Sequence, residues 1–266
     1  MWEDAQAPLP LDDRGLAYGD GLFETVLVRD GRPLLWEAHL ARLARGCERL
    51  GFAMPEDLEA LPARAGDGLK VLKLIVTRGG GGRGYLAPET PHPRLRWQLG
   101  DFAPRYERWA GVRARHCALR LGIQPALAGL KHLNRLENVL ARGEWSDPTI
   151  AEGVLCDSDG RLVEATCMNL VWRRNGRLET PDLSRCGVAG TLLAVLSERH
   201  PIDRVRVGPE ALEEAEAVWL LNSVQGVWPL LRLDAADGRC LRRWSPGGAL
   251  DELPALAHPL LGYPGP

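Results

Sequence analysis

The sequence predicts an α/β (α+β) fold with a smaller N-terminal domain at residues 1–105, a linker at residues 106–112 and a larger C-terminal domain at residues 113–266. Three observations predict it. Helix and strand patterns occur in both halves of the 266 residues, a length that suits two modest domains or one large one. Prolines interrupt the chain repeatedly ahead of the linker. The second half contains two hairpin patterns, which favour a mixed, largely antiparallel sheet.

The N-terminal half contains one clear helix pattern and one clear strand pattern. Apolar residues recur from Trp36 to Leu50 at spacings of four, three, four and three, which is typical of a helix stripe, and Gly51 predicts the helix end. Residues 71–77 form a short β-branched run that closes at the glycine cluster of residues 79–82. This run predicts a strand.

The C-terminal half begins with a predicted amphipathic helix that carries Leu133, Leu136 and Leu140. Two hairpins follow, with D-S-D-G in the first turn and N-G in the second, both typical of tight chain reversals. The hairpin strands are predicted at residues 150–156 with 161–164, and at residues 169–173 with 177–180. The later elements are a helix at 191–199, a strand at 204–207, a helix at 209–216, a buried strand at 217–221 and a short helix at 250–257.

The charges nearly cancel, with 33 Lys and Arg against 35 Asp and Glu and a formal net charge of -2. A nucleic acid or an anionic membrane needs a basic surface on its partner, so we expect neither as the main partner. A pocket for a small anionic molecule remains compatible with this composition. We therefore expect a small-molecule substrate.

The sequence also predicts a compartment. Glu3 and Asp4 stand where a signal peptide would be basic, and no apolar run approaches the length of a membrane span. The six cysteines are dispersed and form no C-x-x-C pair, so we expect neither a disulfide framework nor a zinc site. These features favour a cytoplasmic protein.

Lys131 is the candidate for the catalytic residue. It follows a glycine and an apolar residue at the start of the predicted helix, within G-L-K-H-L-N-R-L-E-N-V-L-A-R at residues 129–142. A lysine held in a dry pocket can lose its charge and act as a nucleophile. Such an amine condenses with aldehydes, of which pyridoxal 5'-phosphate (PLP) is the commonest biological partner. This hypothesis requires a phosphate site and an acidic partner for the pyridine nitrogen.

Three positions could bind the phosphate. The run G-V-A-G-T at residues 187–191 opens a predicted helix with small residues, whose N–H groups can closely approach an anion. Ser223 places a hydroxyl directly after an apolar strand, and Arg42 lies beside the apolar stripe of its helix, where it could grip a phosphate with two nitrogens. Each position alone also fits an ordinary role, as a glycine-containing loop, a turn residue or an arginine on a helix flank.

Glu164 is the candidate for the acidic partner. It follows two apolar strand residues in L-V-E-A-T-C-M-N-L and precedes small and polar ones, so its carboxylate is expected to be at least partly buried. PLP acts as an electron sink only when its ring nitrogen is protonated or strongly hydrogen-bonded, which an acidic side chain achieves. The alternative is an exposed glutamate on an edge strand.

The order of these residues along the chain resembles that of a known enzyme family. Arg42, Lys131, Glu164, Gly190, Thr191 and Ser223 occur in the order found in fold-type IV PLP enzymes, the group of branched-chain and D-amino-acid aminotransferases. The opening R-G-L-A-Y-G-D-G-L-F-E-T at residues 14–25 also resembles this group. Within it, T-R-G-G-G-G-R-G-Y at 77–85, L-A-G-L-K-H-L-N-R-L-E-N-V-L at 127–140 and C-G-V-A-G-T at 186–191 resemble the aminodeoxychorismate lyases most.

The resemblance implies roles for individual residues. Lys131 takes the position of the Schiff-base lysine and Glu164 that of the pyridine-nitrogen carboxylate, with Asn169 at a supporting position. The implied phosphate contacts are Arg42, Gly190, Thr191, Leu192 and Ser223. Arg83 and Tyr85 lie where related aminotransferases bind substrate carboxylates, and Tyr106 is a further candidate.

Two departures accompany the resemblance. The chain is expected to lack the short first strand that usually precedes the opening motif. The G-I-x-R that starts the phosphate-binding helix in relatives is G-T-L-L here, so Leu193 replaces the usual arginine. The first departure concerns the sheet edge and the second the bracing of the phosphate loop, so neither removes a catalytic group.

The implied activity is conversion of 4-amino-4-deoxychorismate to 4-aminobenzoate, a folate precursor, and pyruvate. Lys131 would serve as the general base that takes the proton from C4 of the substrate. One alternative is a class IV aminotransferase acting on D-amino or branched-chain amino acids, and another is a PLP-binding protein without turnover. The resemblance also implies a homodimer.

Overall fold

The chain forms two compact units in this computed structural model, which describes residues 3–4 and 9–264. The first unit comprises Met1–Ala103 and Leu130–Asn134, and the second comprises Pro104–Gly129 and Arg135–Pro266. The boundary therefore falls at residues 103 and 104, and the predicted linker belongs to the second unit. The segment Leu130–Asn134 belongs to the first unit, whereas the sequence predicted it in the C-terminal domain.

The first unit contains an antiparallel sheet with the strand order β1-β5-β4-β2-β3 among the described residues. Its helices are α1 and α2, followed by a 3-10 helix at Pro62–Ala65. In chain order the elements are β1 (Glu3–Asp4), α1 (Arg14–Tyr18), β2 (Gly21–Arg29), β3 (Arg32–Pro33), α2 (Trp36–Leu50), β4 (Leu69–Thr77) and β5 (Arg94–Asp101).

Helix α2 packs closely on strand β2. A Cβ atom at Gly46 would lie 2.6 Å from Cδ1 of Leu22, so only glycine allows the two elements to approach this closely. On β2, Leu22, Glu24 and Val26 alternate with partly exposed residues and are buried. The buried face of β2 therefore brings one carboxylate against the helix.

Backbone hydrogen bonds attach the segment Leu130–Asn134 to the first unit. The N–H of Phe23 donates to the carbonyl of Lys131 at 2.9 Å, and the N–H of Leu133 donates to the carbonyl of Gly21 at 3.0 Å. The segment lies alongside the start of β2 and adds a short pairing to it. The sequence of these residues has no strand periodicity. This pairing is the physical reason why the segment leaves the unit predicted for it.

The second unit contains a nine-stranded sheet among the described residues, in the order β11-β10-β9-β12-β13-β6-β7-β8, with β14 paired to β13. Five of its strand pairs are antiparallel and three are parallel, as predicted for a mixed, largely antiparallel sheet. Its strands are β6 (Val112–Leu121), β7 (Ile150–Asp157), β8 (Leu162–Ala165), β9 (Asn169–Arg174), β10 (Arg177–Pro181), β11 (Ile202–Val205), β12 (Ala217–Asn222), β13 (Gly226–Asp234) and β14 (Cys240–Arg243). Its α-helices are α3 (Leu136–Arg142), α4 (Thr191–Arg199), α5 (Glu210–Glu213) and α6 (Glu252–Ala257), and its 3-10 helices are Tyr106–Arg108, Gly248–Asp251 and His258–Leu261.

Several predicted elements are confirmed. Helices α2 and α4 have the predicted bounds, and both hairpins form, as β7 with β8 and β9 with β10. In the N-G turn, Asn175 and Gly176 have φ angles of 52° and 72°, the conformation that a two-residue hairpin turn requires. Strand β4 begins two residues before the predicted run.

Other expectations are wrong. Strand β1 is present and pairs with β5 through Glu3 and Asp4, because an edge pairing uses the backbone and leaves little trace in the side-chain pattern. The predicted helix from residue 133 begins only at Leu136, and the apolar side chains of Leu136, Val139 and Leu140 are exposed. Strand β11 lies two residues earlier than predicted, and α5 is shorter.

Among the described residues, the helices are all too short or too polar to span a membrane.

Candidate active site

Lys131 lies in the first unit, on the extended segment beside β2. Its Nζ is 4.4 Å from the centre of the Phe23 ring, a cation–π distance. The side chain is partly buried, and the hydrogen bond from Phe23 to the Lys131 carbonyl fixes its backbone. The lysine is therefore held by the sheet, since α3 begins only at Leu136.

Arg42 belongs to a buried group in the same unit. Its Nε and Nη2 donate to Oε1 and Oε2 of Glu24 at 2.8 and 2.5 Å, and His39 Nδ1 donates to Oε2 at 2.7 Å. All three side chains are buried between α2 and β2. Arg42 reaches inward from its helix, where Glu24 orients the guanidinium.

Burial and the charges in this group together shift the pKa values of Glu24 and His39. Burial alone would raise the pKa of Glu24, but the Arg42 guanidinium and the hydrogen bond from His39 lower it to about 2. Burial lowers the pKa of His39, and the charges of Arg42 and Lys131 act in the same direction against the pull of Glu24. At neutral pH we therefore expect a carboxylate beside a neutral imidazole.

Glu164 lies in the second unit, on β8, with 4% of its surface exposed. Its Oε2 accepts from the N–H of Val188 at 2.8 Å, and its Oε1 accepts from Nδ2 of Asn138 at 3.4 Å. Asn169 Nδ2 donates to the Val188 carbonyl at 2.9 Å. The loop at residues 187–190 is thus held by two of the sequence-predicted residues.

The start of α4 follows this loop. Gly190 is its N-cap in an extended conformation, and within the described chain no side chain caps the helix. A Cβ atom at Gly190 would lie 1.8 Å from Oδ1 of Asn169, so a larger residue does not fit. The side chains of Thr191 and Leu192 are buried.

Ser223 is buried in the turn after β12. Leu221 pairs with Asn169 across β12 and β9, and Asn222 donates to the carbonyl of Cys167 at 3.2 Å. Within the second unit, the structure therefore brings Ser223, Asn169, Glu164 and the start of α4 to one end of the sheet.

The three expected substrate contacts are all exposed. Arg83 and Tyr85 lie on the glycine-rich loop of the first unit, where Tyr85 is 88% exposed. Tyr106 begins a 3-10 helix in the second unit, and its ring packs edge-to-face on Trp109 at 4.8 Å. Their roles stay predictions.

Comparison with known proteins identifies the family. A model of the family Amino-transferase class IV matches residues 21–233. The chain belongs to this family. It is 33% identical to an aminodeoxychorismate lyase of Vibrio harveyi, over 88% of this chain and 90% of the relative.

Solved structures of class IV enzymes agree with the fold. The crystal structure of 4-amino-4-deoxychorismate lyase from Pseudomonas aeruginosa is 46% identical, with a TM-score of 0.82 over 95% of this chain and 96% of that one. A fold IV-transaminase from Curtobacterium pusillum is 27% identical, with a TM-score of 0.74 over 93% of this chain and 89% of that one. The predicted fold class and the resemblance to fold-type IV enzymes are confirmed.

The sequence did not predict several hydrogen-bond partners of the candidate site residues. Glu24 carried a usable signal, because it shares a period of two with buried Leu22 and Val26, and a carboxylate on a buried strand face needs a cation. Asn138 carried none, because only the fold brings it to Glu164. Arg14 belongs to the motif at residues 14–25, but the motif alone predicts no role for it.

Proposed function

We propose that this chain is a PLP-dependent lyase that converts 4-amino-4-deoxychorismate to 4-aminobenzoate and pyruvate. The observation that carries the proposal is the likeness to lyases of this activity along nearly the whole chain, at 33% and 46% identity. Of the two products, 4-aminobenzoate is the folate precursor. The buried partners of Arg42 and Glu164 support an intact cofactor site.

The residues present fit PLP. Lys131 offers the amine, and Glu164 is a buried carboxylate oriented by Val188 and Asn138, as a partner of a pyridine nitrogen must be. Gly190 lets Asn169 lie against the start of α4, where a Cβ atom would clash with its Oδ1. The proposed phosphate contacts are Arg42, the N–H groups of Thr191 and Leu192, and the Ser223 hydroxyl.

The reaction needs proton transfer and orientation. PLP, when bound, supplies an electron sink for the negative charge left at C4 of the substrate. The amine of Lys131 takes the C4 proton, the C3–O bond breaks, and its electrons leave with enolpyruvate, which becomes pyruvate on protonation. Loss of these groups makes the ring aromatic, so the elimination is strongly downhill.

Substrate recognition is assigned to Arg83, Tyr85 and Tyr106. The substrate carries two carboxylates, and a guanidinium or phenol can hydrogen-bond to them. Substitution of Arg83 by Ala is expected to raise KM more than it lowers kcat.

The activity test couples the purified protein to a chorismate-aminating synthase and measures 4-aminobenzoate and pyruvate. We expect both products without any 2-oxo acid, and loss of at least about a thousandfold in rate for Lys131→Ala. Absence of 4-aminobenzoate together with amino transfer to a 2-oxo acid would select the alternative, a class IV aminotransferase acting on D-amino or branched-chain amino acids. The likeness to a 27% identical transaminase structure is the reason for keeping this second candidate.

The cofactor has its own test. Wild-type protein mixed with PLP is expected to be yellow and to bleach with borohydride, while Lys131→Ala stays without the Schiff-base absorption. No such absorption in the wild type would refute the PLP assignment. Absorption without turnover on either substrate class would indicate a PLP-binding protein that has lost catalysis.

We also propose a homodimer in the cytoplasm. The exposed apolar side chains of Leu136, Val139 and Leu140 on α3 support a self-association surface, because a contiguous apolar patch exposed to water often marks a protein–protein interface. The occupant we commit to is a second copy of this chain. Family resemblance supports both assignments, and cell fractionation tests the compartment.

A further inference from the structure

Arg14 lies at the centre of the glycine-rich loop that carries Arg83 and Tyr85. It is the first residue of α1, and only 5% of it is exposed. Its guanidinium donates hydrogen bonds to four backbone carbonyls, those of Gly81 (3.4 Å), Gly84 (2.9 Å), Tyr85 (3.2 Å) and Leu86 (3.3 Å). The loop is thus folded around a buried cation.

Asp20 fixes the orientation of this guanidinium. Nε of Arg14 donates to Asp20 Oδ2 at 3.0 Å, and Arg78 donates to both oxygens of the same carboxylate at 2.7 and 3.1 Å. Burial opposes ionisation of Asp20, but Arg78 and Arg14 together lower its pKa, so it is a carboxylate at neutral pH. Arg14 therefore points its remaining nitrogens towards the loop.

The loop backbone is compact. Gly81, Gly82 and Gly84 have φ angles of 96°, 80° and 58°, which other residues rarely adopt, and a Cβ atom at Gly82 would lie 2.2 Å from the Leu86 carbonyl oxygen. The N–H of Leu86 also donates to the Arg83 carbonyl at 3.1 Å. The polar backbone groups turn inward while the side chains of Arg83 and Tyr85 are exposed.

A cation and an aromatic ring exposed on a loop that hydrogen bonds hold in place are suited to recognise a ligand. Tyr85 also packs on Tyr18, with ring centres 5.3 Å apart, and the Arg14 guanidinium lies 5.1 Å from the Tyr18 ring. A loop already ordered before binding loses less entropy when it binds its ligand.

We propose that Arg14 is a positioning residue that orders the loop at residues 81–86, so that Arg83 and Tyr85 are placed to bind a substrate carboxylate. This rests on the proposed function, in which those two residues contact the substrate. A guanidinium suits the task because its planar fork donates in several fixed directions, which the ammonium of lysine does not. Asp20 keeps Arg78 as a partner when Arg14 is replaced, so the loss falls on the loop.

The experiment compares Arg14→Met and Arg14→Lys with wild type as PLP-loaded enzymes. For Arg14→Met we expect KM for 4-amino-4-deoxychorismate to rise about tenfold with kcat within about twofold and PLP absorption unchanged. Trypsin cleavage after Arg83 is expected to be at least about tenfold faster, because a disordered loop fits the protease. Arg14→Lys should give smaller changes in both. Arg45→Met, which removes an exposed arginine on α2, is the matched control and should behave as wild type.

The outcomes separate the inference from the proposed function. If Arg83→Ala leaves KM unchanged while 4-aminobenzoate forms, the loop does not bind substrate and the assignment of Arg83 fails. If Arg83→Ala raises KM but neither Arg14 variant does, the positioning role is overturned. Unchanged trypsin cleavage in both Arg14 variants also overturns it, even for an enzyme without lyase activity. Arg14→Lys decides the matter if Arg14→Met does not fold.

Discussion

Glu24, His39 and Arg42 form a buried group whose charges depend on one another. Glu24 accepts from both other side chains, and its pKa of about 2 reflects the two donors. The pKa values that such side chains have in water do not apply here, because burial makes every unpaired charge costly. Removing one of the three side chains should therefore destabilise the protein by more than the loss of its hydrogen bonds, because a buried charge is left without its partner.

Substitution of Glu24 by Gln is expected to lower the free energy of unfolding by about 3 kcal/mol or more, because the buried Arg42 charge loses its counter-charge. Urea unfolding of the protein without PLP measures this. The added change Arg42→Met should restore part of the loss, since it removes the stranded cation. Strictly additive losses in the double variant would mean that the pair is not coupled.

His39 makes stability depend on pH. Its pKa is lowered in the folded protein, chiefly by burial, from the ordinary value of 6.5, so the unfolded chain takes up a proton first as the pH falls. Stability contributed by neutral His39 is complete above pH 6.5 and declines below it. Urea unfolding at pH 8, 7, 6 and 5 should show a steeper decline for wild type than for His39→Gln. Parallel curves would contradict the lowered pKa.

At the level of single residues, the sequence points to candidate side chains but not to their hydrogen-bond partners. Lys131, Arg42 and Glu164 could be singled out because local pattern and family motif mark them. Glu24 and Asn138 contact them only through folding, across 18 and 26 residues of chain. A hydrogen-bond partner that distant leaves no local signature, although the buried position of Glu24 on β2 gave a partial one.

The start of α4 depends on a close fit with β9. Gly190 has a φ angle of -65°, which any residue can adopt, so its need for glycine is purely steric. Asn169 occupies the space that a side chain would take. The fit keeps the first turn of the helix beside the loop that binds Glu164.

Gly190→Ala is therefore expected to lower the free energy of unfolding by about 1–3 kcal/mol and to weaken PLP binding, because the new methyl group displaces Asn169 or the helix start. Thermal unfolding and PLP titration measure the two effects. In an Asn169→Ala background the same change should cost clearly less, since the clashing oxygen is gone. An equal cost in both backgrounds would exclude this contact as the cause.

The elements that were predicted well are determined by residues that are close to them in the sequence. Helix α2 ends at Gly51 with a φ angle of 74°, and the N-G turn sets the register of β9 and β10. Helix α3 was predicted less well, because an apolar spacing does not tell whether the same chain covers that face. Strand β1 has only two residues, too few for any periodic pattern.

At the scale of the whole molecule, the proposed self-association surface on α3 can be tested by one charge substitution. Leu140→Glu places a charge within the exposed group of Leu136, Val139 and Leu140, so it should convert a dimer to a monomer at micromolar concentration. Light scattering after gel filtration gives the mass. Leu11→Glu, at a leucine that is 90% exposed and lies outside α3, is the control and should stay dimeric. Wild-type protein that elutes as a monomer would refute the dimer itself.

Domain organisation was the least accessible level from sequence. The prolines before residue 104 suggested a boundary close to that of the two units, but nothing in K-H-L-N predicts that these residues pair with β2. Contacts made across more than a hundred residues are fixed by the fold. The pairing of residues 130–134 with β2 is such a contact.

The short pairing of Lys131 and Leu133 with β2 limits how this enzyme can be divided or recombined. A gene cut at residue 103 would yield an N-terminal fragment whose β2 lacks the neighbour that carries the lysine, while the lysine stays on the other fragment. Exchange of the first 103 residues with those of a relative would leave Lys131 native but pair its segment with a foreign strand. Chimeras of this family are therefore expected to inherit the alignment of their lysine from the N-terminal parent.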